Sequence, residues 1–236
     1  MTSIVQISPA RNIYEQVKWK CKAYSSMFSA VLMVQVLMAL LSGSGSGSMG
    51  MGRGFINYRE KYYTLDGLFI FSMVTLLFIG WILASKVLSR DNFSIVTTSS
   101  TEVISTLLFI VLLCMFTLLT ALCSLSISVF LDIVRTGDML ILHSSSFSMI
   151  SLGGFIICTL LAASIGYFLH VVFDFSKIAF VLLVAVLFFF IRQYTIDLWG
   201  ILFGHSPGQV IGRSALYTVI LWLLILIIQK RREVIR

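Results

Sequence analysis

Residues 103–131 read VISTLLFIVLLCMFTLLTALCSLSISVFL, a run without one charged side chain. A helix over this run is about 43 Å long at 1.5 Å per residue, whereas the hydrocarbon core of a bilayer is about 30 Å thick. The run therefore predicts one long membrane-spanning helix, which must tilt, bend or project from the bilayer.

The composition of the whole chain agrees with that prediction. Of the 236 residues, 58% are hydrophobic and only 11% are charged, and the mean hydropathy is +1.00. Ordinary soluble domains have about 45–50% apolar and about 25% charged residues. So few charges could not cover so much apolar surface in water. The composition therefore excludes a soluble globular protein, a disordered tail and a nucleic-acid-binding domain.

Five further apolar segments resemble the first, so we expect six membrane-spanning helices with edges uncertain by about two to four residues. The six segments are Ser25–Ser48, Gly67–Val87, Val103–Leu131, Met149–Val172, Ile178–Tyr194 and Ser214–Ile228. The predicted fold is all-α: a cytoplasmic N-terminus over residues 1–24 and a six-span transmembrane domain over residues 25–236. The Ser-Gly run at 42–48 is either a helix-packing end, with Gly43 and Gly47 four residues apart, or a linker.

The basic residues give the predicted spans a direction. When the N-terminus is placed inside, 11 Lys and Arg residues fall on the cytoplasmic side and 6 on the outer side. Cytoplasmic loops of membrane proteins carry the excess of Lys and Arg. We therefore expect both termini to be cytoplasmic.

The segment before the first span has the period of an amphipathic helix. One stripe contains Ile13, Val17, Cys21 and Tyr24, and the opposite stripe contains Arg11, Glu15, Lys18 and Lys22. This pattern is typical of a helix that lies in the membrane interface. Such a helix either anchors and orients the first span or also contacts a cytoplasmic partner.

The loop between the second and third predicted spans contains an apolar knot. Residues 86–105 read KVLSRDNFSIVTTSSTEVIS, in which Phe93, Ile95 and Val96 lie among polar residues. Glu102 falls in the first turn of the third span, where the helix dipole favours an acidic side chain. The loop is either a solvated linker or a short helix whose apolar knob fits the groove of a partner.

In the order of these parts the chain resembles the permease subunit of a type-2 ABC exporter. Those permeases have an interfacial N-terminal helix, similar to residues 11–24, and six spans with both ends inside. Their main coupling helix lies between spans two and three, where this chain has residues 89–98. Many have a re-entrant pair of short helices before the last span, and residues 195–212 are similar to such an element in being apolar and broken by Gly and Pro.

The resemblance implies which residues act. The ATPase-coupling contacts would be Arg90, Asp91, Phe93, Ile95, Val96 and Glu102. The interfacial helix would use Ile13, Val17, Lys18, Cys21 and Lys22. One chain forms half a pathway in this family, so a second permease copy or a paralogous permease is implied. The pathway would be lined at Phe180, Phe188 and Phe189, although such phenylalanines also suit plain packing against lipid.

The chain itself carries no ATP-binding motif. GxxxxGK[ST] does not occur in the sequence, so ATP and Mg²⁺ are expected on a separate ATP-binding cassette subunit. Its three histidines lack the spacing of metal ligands. We therefore expect a bacterial plasma-membrane permease that binds no cofactor, is not an enzyme, and exports an amphipathic or antimicrobial peptide or a lipid-like molecule.

Other classes of protein remain open. Residues 204–208 read GHSPG and match GxSxG, so an intramembrane serine hydrolase would use Ser206 with His143 or His170 as its base. Ser-Pro-Gly is also ordinary turn chemistry. A substrate-binding component of a vitamin importer would need a polar pocket within the spans. A non-transporting immunity protein would lack an ATPase partner.

Overall fold

The computed structural model of the chain describes residues 9–41, 47–53, 56–62, 66–85, 99–136, 149–193 and 206–235. Within these residues the chain folds predominantly as helices. The helices are α1 (Pro9–Ala23), α2 (Ser25–Leu41), α3 (Asp66–Leu83), α4 (Ser99–Thr136), α5 (Met149–Phe175), α6 (Lys177–Gln193) and α7 (Pro207–Ile235).

Three helices in the described part of the chain are long and apolar enough to cross a membrane, as expected of a membrane protein. They cover Ser100–Leu131, Met149–Phe175 and Pro207–Lys230, in α4, α5 and α7. A fourth candidate arises if α1 and α2, which meet at an angle of 54°, are taken as one bent span. Shorter apolar helices occupy Gly67–Leu83 and Lys177–Val186. The count of six spans stays a prediction.

A helix occupies each of the six predicted segments, but two of the predicted boundaries are wrong. The first segment was expected to continue to Ser48, whereas α2 ends at Leu41 and Gly47 begins a strand. Glycine costs about 1 kcal/mol per residue in a helix interior, which disfavours a helix through the Ser-Gly run. Pro207–Gly212, expected in a re-entrant element, instead forms the first turns of α7.

The described part of the chain is all-helical in architecture, as predicted, and a short two-stranded antiparallel hairpin connects α2 to α3. Its strands are β1 (Gly47–Arg53) and β2 (Ile56–Tyr62). Gly47 pairs with Tyr62 at the open end, and Arg53 pairs with Ile56 at the turn.

Helices α2 and α4 run in the same direction. Near their starts, the ring of Phe28 contacts the ring of Phe109, with centroids 5.8 Å apart. Near the end of α2, the hydroxyl of Ser128 donates to the carbonyl of Ala39 over 3.3 Å. The residue numbers of the contacting pairs therefore rise together along both helices, as in a parallel arrangement.

Helix α3 runs in the same direction as α5. The ring of Phe69 contacts Phe155 at 5.4 Å, and twelve residues further along α3 the ring of Trp81 contacts His170 at 4.9 Å. The two helices cross closely at Gly80 and Gly166. A Cβ atom on either glycine would collide with a backbone carbonyl of the other helix.

Helix α7 also runs in the same direction as α5. The thiol of Cys158 lies 3.9 Å from the hydroxyl of Ser214. Further along both helices, the amide of Gln229 donates to the hydroxyl of Tyr167 over 3.0 Å.

Helices α4 and α5 run in opposite directions. Their side chains meet where Cys114 is hydrogen-bonded to Thr159. A parallel arrangement would separate Thr136 from Met149 by about 48 Å along the axis. The thirteen Cα–Cα steps from Thr136 to Met149 reach at most about 45 Å when fully extended, and they must also bridge the lateral distance of about 8–10 Å between the helix axes. An antiparallel arrangement reduces the axial separation to about 18 Å.

These directions define two ends of the bundle. One end, called the α1 end, holds α1, the starts of α2 and α4, and the last turns of α3, α5 and α7. Helix α6 also starts there, directly after Ser176. The opposite end, called the hairpin end, holds the last turns of α2 and α4 and the starts of α3, α5 and α7.

Candidate functional site

A buried lysine of α1 is hydrogen-bonded to the first turns of α4. Lys20 is only 3% exposed. Its ammonium donates to the hydroxyl of Thr106 over 2.6 Å, to the hydroxyl of Ser105 over 2.7 Å and to the backbone carbonyl of Glu102 over 3.3 Å. An ammonium has three N–H donors. The site therefore provides one oxygen acceptor for each N–H of the ammonium.

Hydrogen bonds within α4 hold the acceptor groups of this junction in place. The hydroxyls of Ser105 and Thr106 both donate to the carbonyl of Glu102 over 2.8 Å. Their oxygen lone pairs are left facing the ammonium. The same three residues of α4 thus form an acceptor group whose geometry is fixed by the helix.

Burial changes the acidity of Lys20, which lies outside the three candidate spans. Removal from water disfavours the ammonium and lowers the pKa of Lys20 to about 8, against the weaker opposing effect of Glu102. Two hydroxyls and a carbonyl are neutral ligands, so they do not fully replace hydration of the charge.

The face of the N-terminal segment that packs on the protein is rotated from its predicted apolar stripe and shares only Tyr24 with it. Gln16, Lys20 and Tyr24, spaced four apart, are the buried residues of this segment. The predicted interfacial residues Ile13, Val17 and Cys21 lie beside them and are half-buried, whereas Arg11, Glu15, Lys18 and Lys22 are exposed. The structure therefore forms a helix here, and its position at a membrane interface stays a prediction.

Lys20 is not among the predicted site residues, because lysine is rarely buried. One signal was present: Lys20 lies four residues after Gln16 and four before Tyr24 on one face. Its acceptors lie 82 to 86 positions away in the chain, which no local pattern reveals.

Most of the predicted coupling residues lie outside the part of the chain that the structure describes. These are Arg90, Asp91, Phe93, Ile95 and Val96. Glu102 is described, and it takes part in the junction through its backbone carbonyl. The segment that carries the predicted coupling residues thus leads directly into the turns that hold Lys20.

An aromatic cluster joins α3, α5 and α6 at the α1 end. The ring of Phe180 lies 5.7 Å from Trp81 and 5.3 Å from Phe173, and Trp81 also contacts His170. The Nε2 atom of His170 is 4.0 Å from a carboxylate oxygen of Asp174, one turn later. Phe180, a predicted pathway residue, is therefore packed in a cluster that fixes the start of α6.

The described side chains of α6 after Phe180, at residues 181–186 and 189, are exposed or half-buried. Phe189 is 63% exposed and Val181 is 64% exposed. The side chain of Phe188 lies outside the described part of the structure. Of the two predicted pathway residues whose side chains are described, Phe180 is packed in the aromatic cluster and Phe189 is exposed.

A glutamine joins α2, α3 and α4 in the interior of the bundle. Gln35 is 1% exposed, and its amide nitrogen donates to the hydroxyl of Ser72 and to the carbonyl of Thr117, both over 3.0 Å. Its amide oxygen has no hydrogen-bond partner among the described residues. Polar side chains within membrane helices are costly and often functional.

The geometry contradicts one of the two hydrolase pairings. Ser206 lies directly before α7, where its hydroxyl accepts from the backbone N–H of Gln209 over 3.3 Å as a helix cap. His170 lies at the opposite end, beyond the contact between Tyr167 and Gln229. The rise along α7 separates Ser206 and His170 by about 35 Å. His143 lies outside the described residues.

No family model, curated protein or solved structure matches the chain. Its function must therefore be argued from its own residues. The junction at Lys20 combines a cation with two hydroxyls and a carbonyl. That set of groups holds two helices together.

Proposed function

We propose that the chain is the permease subunit of an ATP-driven exporter of the ABC type, resident in a bacterial plasma membrane. It forms half of a translocation pathway and receives work from a separate ATP-binding subunit. The single observation that carries the proposal is the junction at Lys20. It ties the N-terminal helix to the turns of α4 that directly follow the loop at residues 86–98.

The junction suits the transmission of force. A partner that pushed on the loop at 86–98 would move the first turns of α4. Because Lys20 is held by three oxygens of those turns, α1 would move with them. Helix α2 follows α1 after one residue, so the displacement would reach two adjacent helices of the bundle.

The helix directions support six crossings. Helices α5 and α7 run the same way, so the chain must return through the membrane between them, and α6 lies in that interval. Helices α2 and α4 also run the same way, and α3, which runs opposite to α4, supplies the return. The bent α1–α2 pair is then an interfacial helix followed by a span.

The charges support cytoplasmic placement of the α1 end. Eight Lys and Arg residues of the helices lie there: Arg11, Lys18, Lys20, Lys22, Lys177, Lys230, Arg231 and Arg232. Six lie towards the hairpin end: Arg53, Arg59, Lys61, Arg135, Arg192 and Arg213. The excess at the α1 end is the arrangement that the positive-inside rule assigns to the cytoplasm. Both termini would then be cytoplasmic.

A second permease copy would complete the pathway. Apolar side chains of α6, such as Val181 and Phe189, are exposed. A pathway between two such faces would suit an amphipathic or antimicrobial peptide or a lipid-like cargo. ATP and Mg²⁺ would bind the partner subunit.

Native mass spectrometry of the mildly solubilised protein from its own host tests the proposal. We expect two permease chains, or a permease pair, with an ATP-binding protein. Phe93→Asp and Ile95→Asp should abolish retention of that subunit, because a buried carboxylate would oppose docking.

Ser94→Asp is the matched control, since it adds the same charge between those two positions and should retain the subunit. A chain that remains monomeric, without an ATP-binding protein, under conditions that preserve other membrane complexes would contradict the proposal.

A further inference from the structure

The contact of Gln35 with α3 and α4 lies deep inside the bundle. Thr117, whose carbonyl accepts from Gln35, is close to the middle of the candidate span Ser100–Leu131. Gln35 and Ser72 are each only 1% exposed. Lipid hydrocarbon offers no hydrogen bonds, so polar groups at this depth must find their partners inside the protein. We call the group formed by Gln35, Ser72 and Thr117 the polar node.

The side-chain amide of Gln35 has partners at one end only. Its nitrogen donates to the hydroxyl of Ser72 and to the carbonyl of Thr117, both over 3.0 Å. Its oxygen is buried and accepts from no described residue. Exchanging the two ends of the amide would place its oxygen against the carbonyl of Thr117, and neither of these atoms can donate. The amide oxygen therefore requires a donor from elsewhere.

The hydroxyl of Ser72 has the opposite deficit. Other hydroxyls in these helices donate to the carbonyl one turn earlier, as Thr75 does to Phe71 over 2.8 Å and Thr117 does to Leu113 over 2.7 Å. Ser72 instead accepts from Gln35, and its own proton has no acceptor among the described residues. A buried acceptor and a buried donor thus lie on neighbouring side chains, and each lacks a partner.

We propose that the polar node binds one water molecule, which donates to the amide oxygen of Gln35 and accepts from the hydroxyl of Ser72. Buried waters in proteins typically make about three hydrogen bonds to polar groups that otherwise have no partner. Thr120 brings a further polar atom to the node, since its hydroxyl lies 3.1 Å from the carbonyl of Thr117.

A neutral occupant suits this place better than an ion does. None of the side chains at the node is charged, and an unpaired charge is costly to bury. Water is both a donor and an acceptor, as the amide oxygen of Gln35 and the hydroxyl of Ser72 require. It would bind whether or not the chain transports anything, since only the packing of three helices is needed.

Water-edited solid-state NMR tests the proposal on the isotopically labelled full chain in phosphatidylethanolamine–phosphatidylglycerol liposomes. The measured quantity is the rate at which magnetisation passes from water protons to individual nitrogen atoms of the protein. Gln35→Met removes the side-chain signal of Gln35 and so assigns it. Gln209, exposed at the start of α7, is the positive reference. The backbone nitrogen of Leu76, a residue that is 0% exposed, is the negative reference.

We expect the side-chain nitrogen of Gln35 to receive water magnetisation several-fold faster than the backbone nitrogen of Leu76. In Ser72→Ala the rate should fall to that of Leu76, because the water loses one of its two main partners. Thr75→Ala is the matched control. It removes a hydroxyl from the same helix, but one that is already bonded to the carbonyl of Phe71, and should leave the rate unchanged.

A rate at Gln35 as slow as that at Leu76 in the native chain would overturn the proposal, because no water would then lie beside the amide. Since this outcome is read on the native chain, it holds even if a variant does not fold. A fast rate that persists in a folded Ser72→Ala chain would also overturn it, because water would then reach Gln35 without the bridge to Ser72.

Discussion

At the scale of single residues, Lys20 shows how a charge can be buried at modest cost. Two α4 hydroxyls and one carbonyl accept its three N–H groups. These acceptors do not fully replace water around the ammonium, and burial therefore lowers the pKa of Lys20 from 10.5 to about 8. The docked position of α1 is therefore linked to pH.

The first prediction concerns that linkage. Docking of α1 carries the full penalty of a buried ammonium below pH 8. The penalty fades as pH rises from about 8 towards 10.5, because the docked lysine loses its proton before the undocked one does. The whole effect corresponds to about 3 kcal/mol. Alkylation of Cys21, which is half-buried on α1, measures docking.

Lys20→Met is the control, because it keeps the aliphatic stem and cannot titrate. We expect the alkylation rate of the native chain, divided by that of Lys20→Met, to fall as pH rises through this window. The division removes the pH dependence of the thiol itself. A ratio that stays constant from pH 7 to 10.5 would contradict the buried, neutral-ligand environment of Lys20.

The second residue-scale prediction concerns the glycines where α3 crosses α5. Gly80→Ala and Gly166→Ala each place a methyl group against a backbone carbonyl of the neighbouring helix, Ala163 and Leu77 respectively. Since backbone cannot move aside as a side chain can, each variant should lose about 1–3 kcal/mol of stability.

Thermal unfolding in detergent, followed by tryptophan fluorescence, measures that loss. Gly153→Ala on α5 is the matched control, because nothing lies within 4 Å of its new Cβ atom. It should be neutral or slightly stabilising through its helix propensity. Equal melting temperatures for Gly166→Ala and Gly153→Ala would show that α3 and α5 do not approach so closely.

At the scale of elements, the shared direction of α5 and α7 predicts a disulfide. Cys158 is a native cysteine whose thiol lies 3.9 Å from the hydroxyl of Ser214. Ser214→Cys should therefore cross-link to Cys158 on oxidation, since buried sulfur atoms at this spacing need little backbone movement to bond. Peptide mass spectrometry after blocking of free thiols measures the bond.

Thr218→Cys is the comparison for this experiment. It lies one turn further along the same buried face of α7, with its hydroxyl bonded to the carbonyl of Ser214, and should not cross-link to Cys158. A stronger cross-link from position 218 than from 214 would require a different register of the two helices.

The sequence predicts elements well where a single local property decides them. The apolar run at Val103–Leu131 lies inside α4, and the start of α5 at Met149 coincides with its prediction. The hairpin could not be predicted because β1 lacks the β-branched and aromatic residues that favour strands. Lys20 could not be assigned because its burial depends on α4 residues more than 80 positions away.

At the scale of the whole molecule, helix directions constrain the topology more strongly than helix lengths do. By length and composition, three helices qualify as spans, or four with the bent pair. Yet α5 and α7 run the same way, and one cannot follow the other without a return crossing. Helix α6, although only 17 residues long, lies in the interval where that return must occur.

The helix directions predict on which side of the membrane two exposed positions lie. Lys177 is at the start of α6 at the α1 end, and Gly208 is at the start of α7 at the hairpin end. In a cysteine-free chain, Gly208→Cys should react with a membrane-impermeant maleimide in intact cells. Lys177→Cys should react only after the cells are opened, because the basic α1 end is expected inside.

Labelling of both positions from the same side would mean that residues 176–206 do not return across the bilayer, and the six-span topology would fail. Labelling of Lys177→Cys alone in intact cells would keep the crossings but reverse the orientation. In that case the junction at Lys20 would face outwards, out of reach of any ATP-binding subunit. The same two variants thus test the topology and the premise on which force transmission through α1 depends.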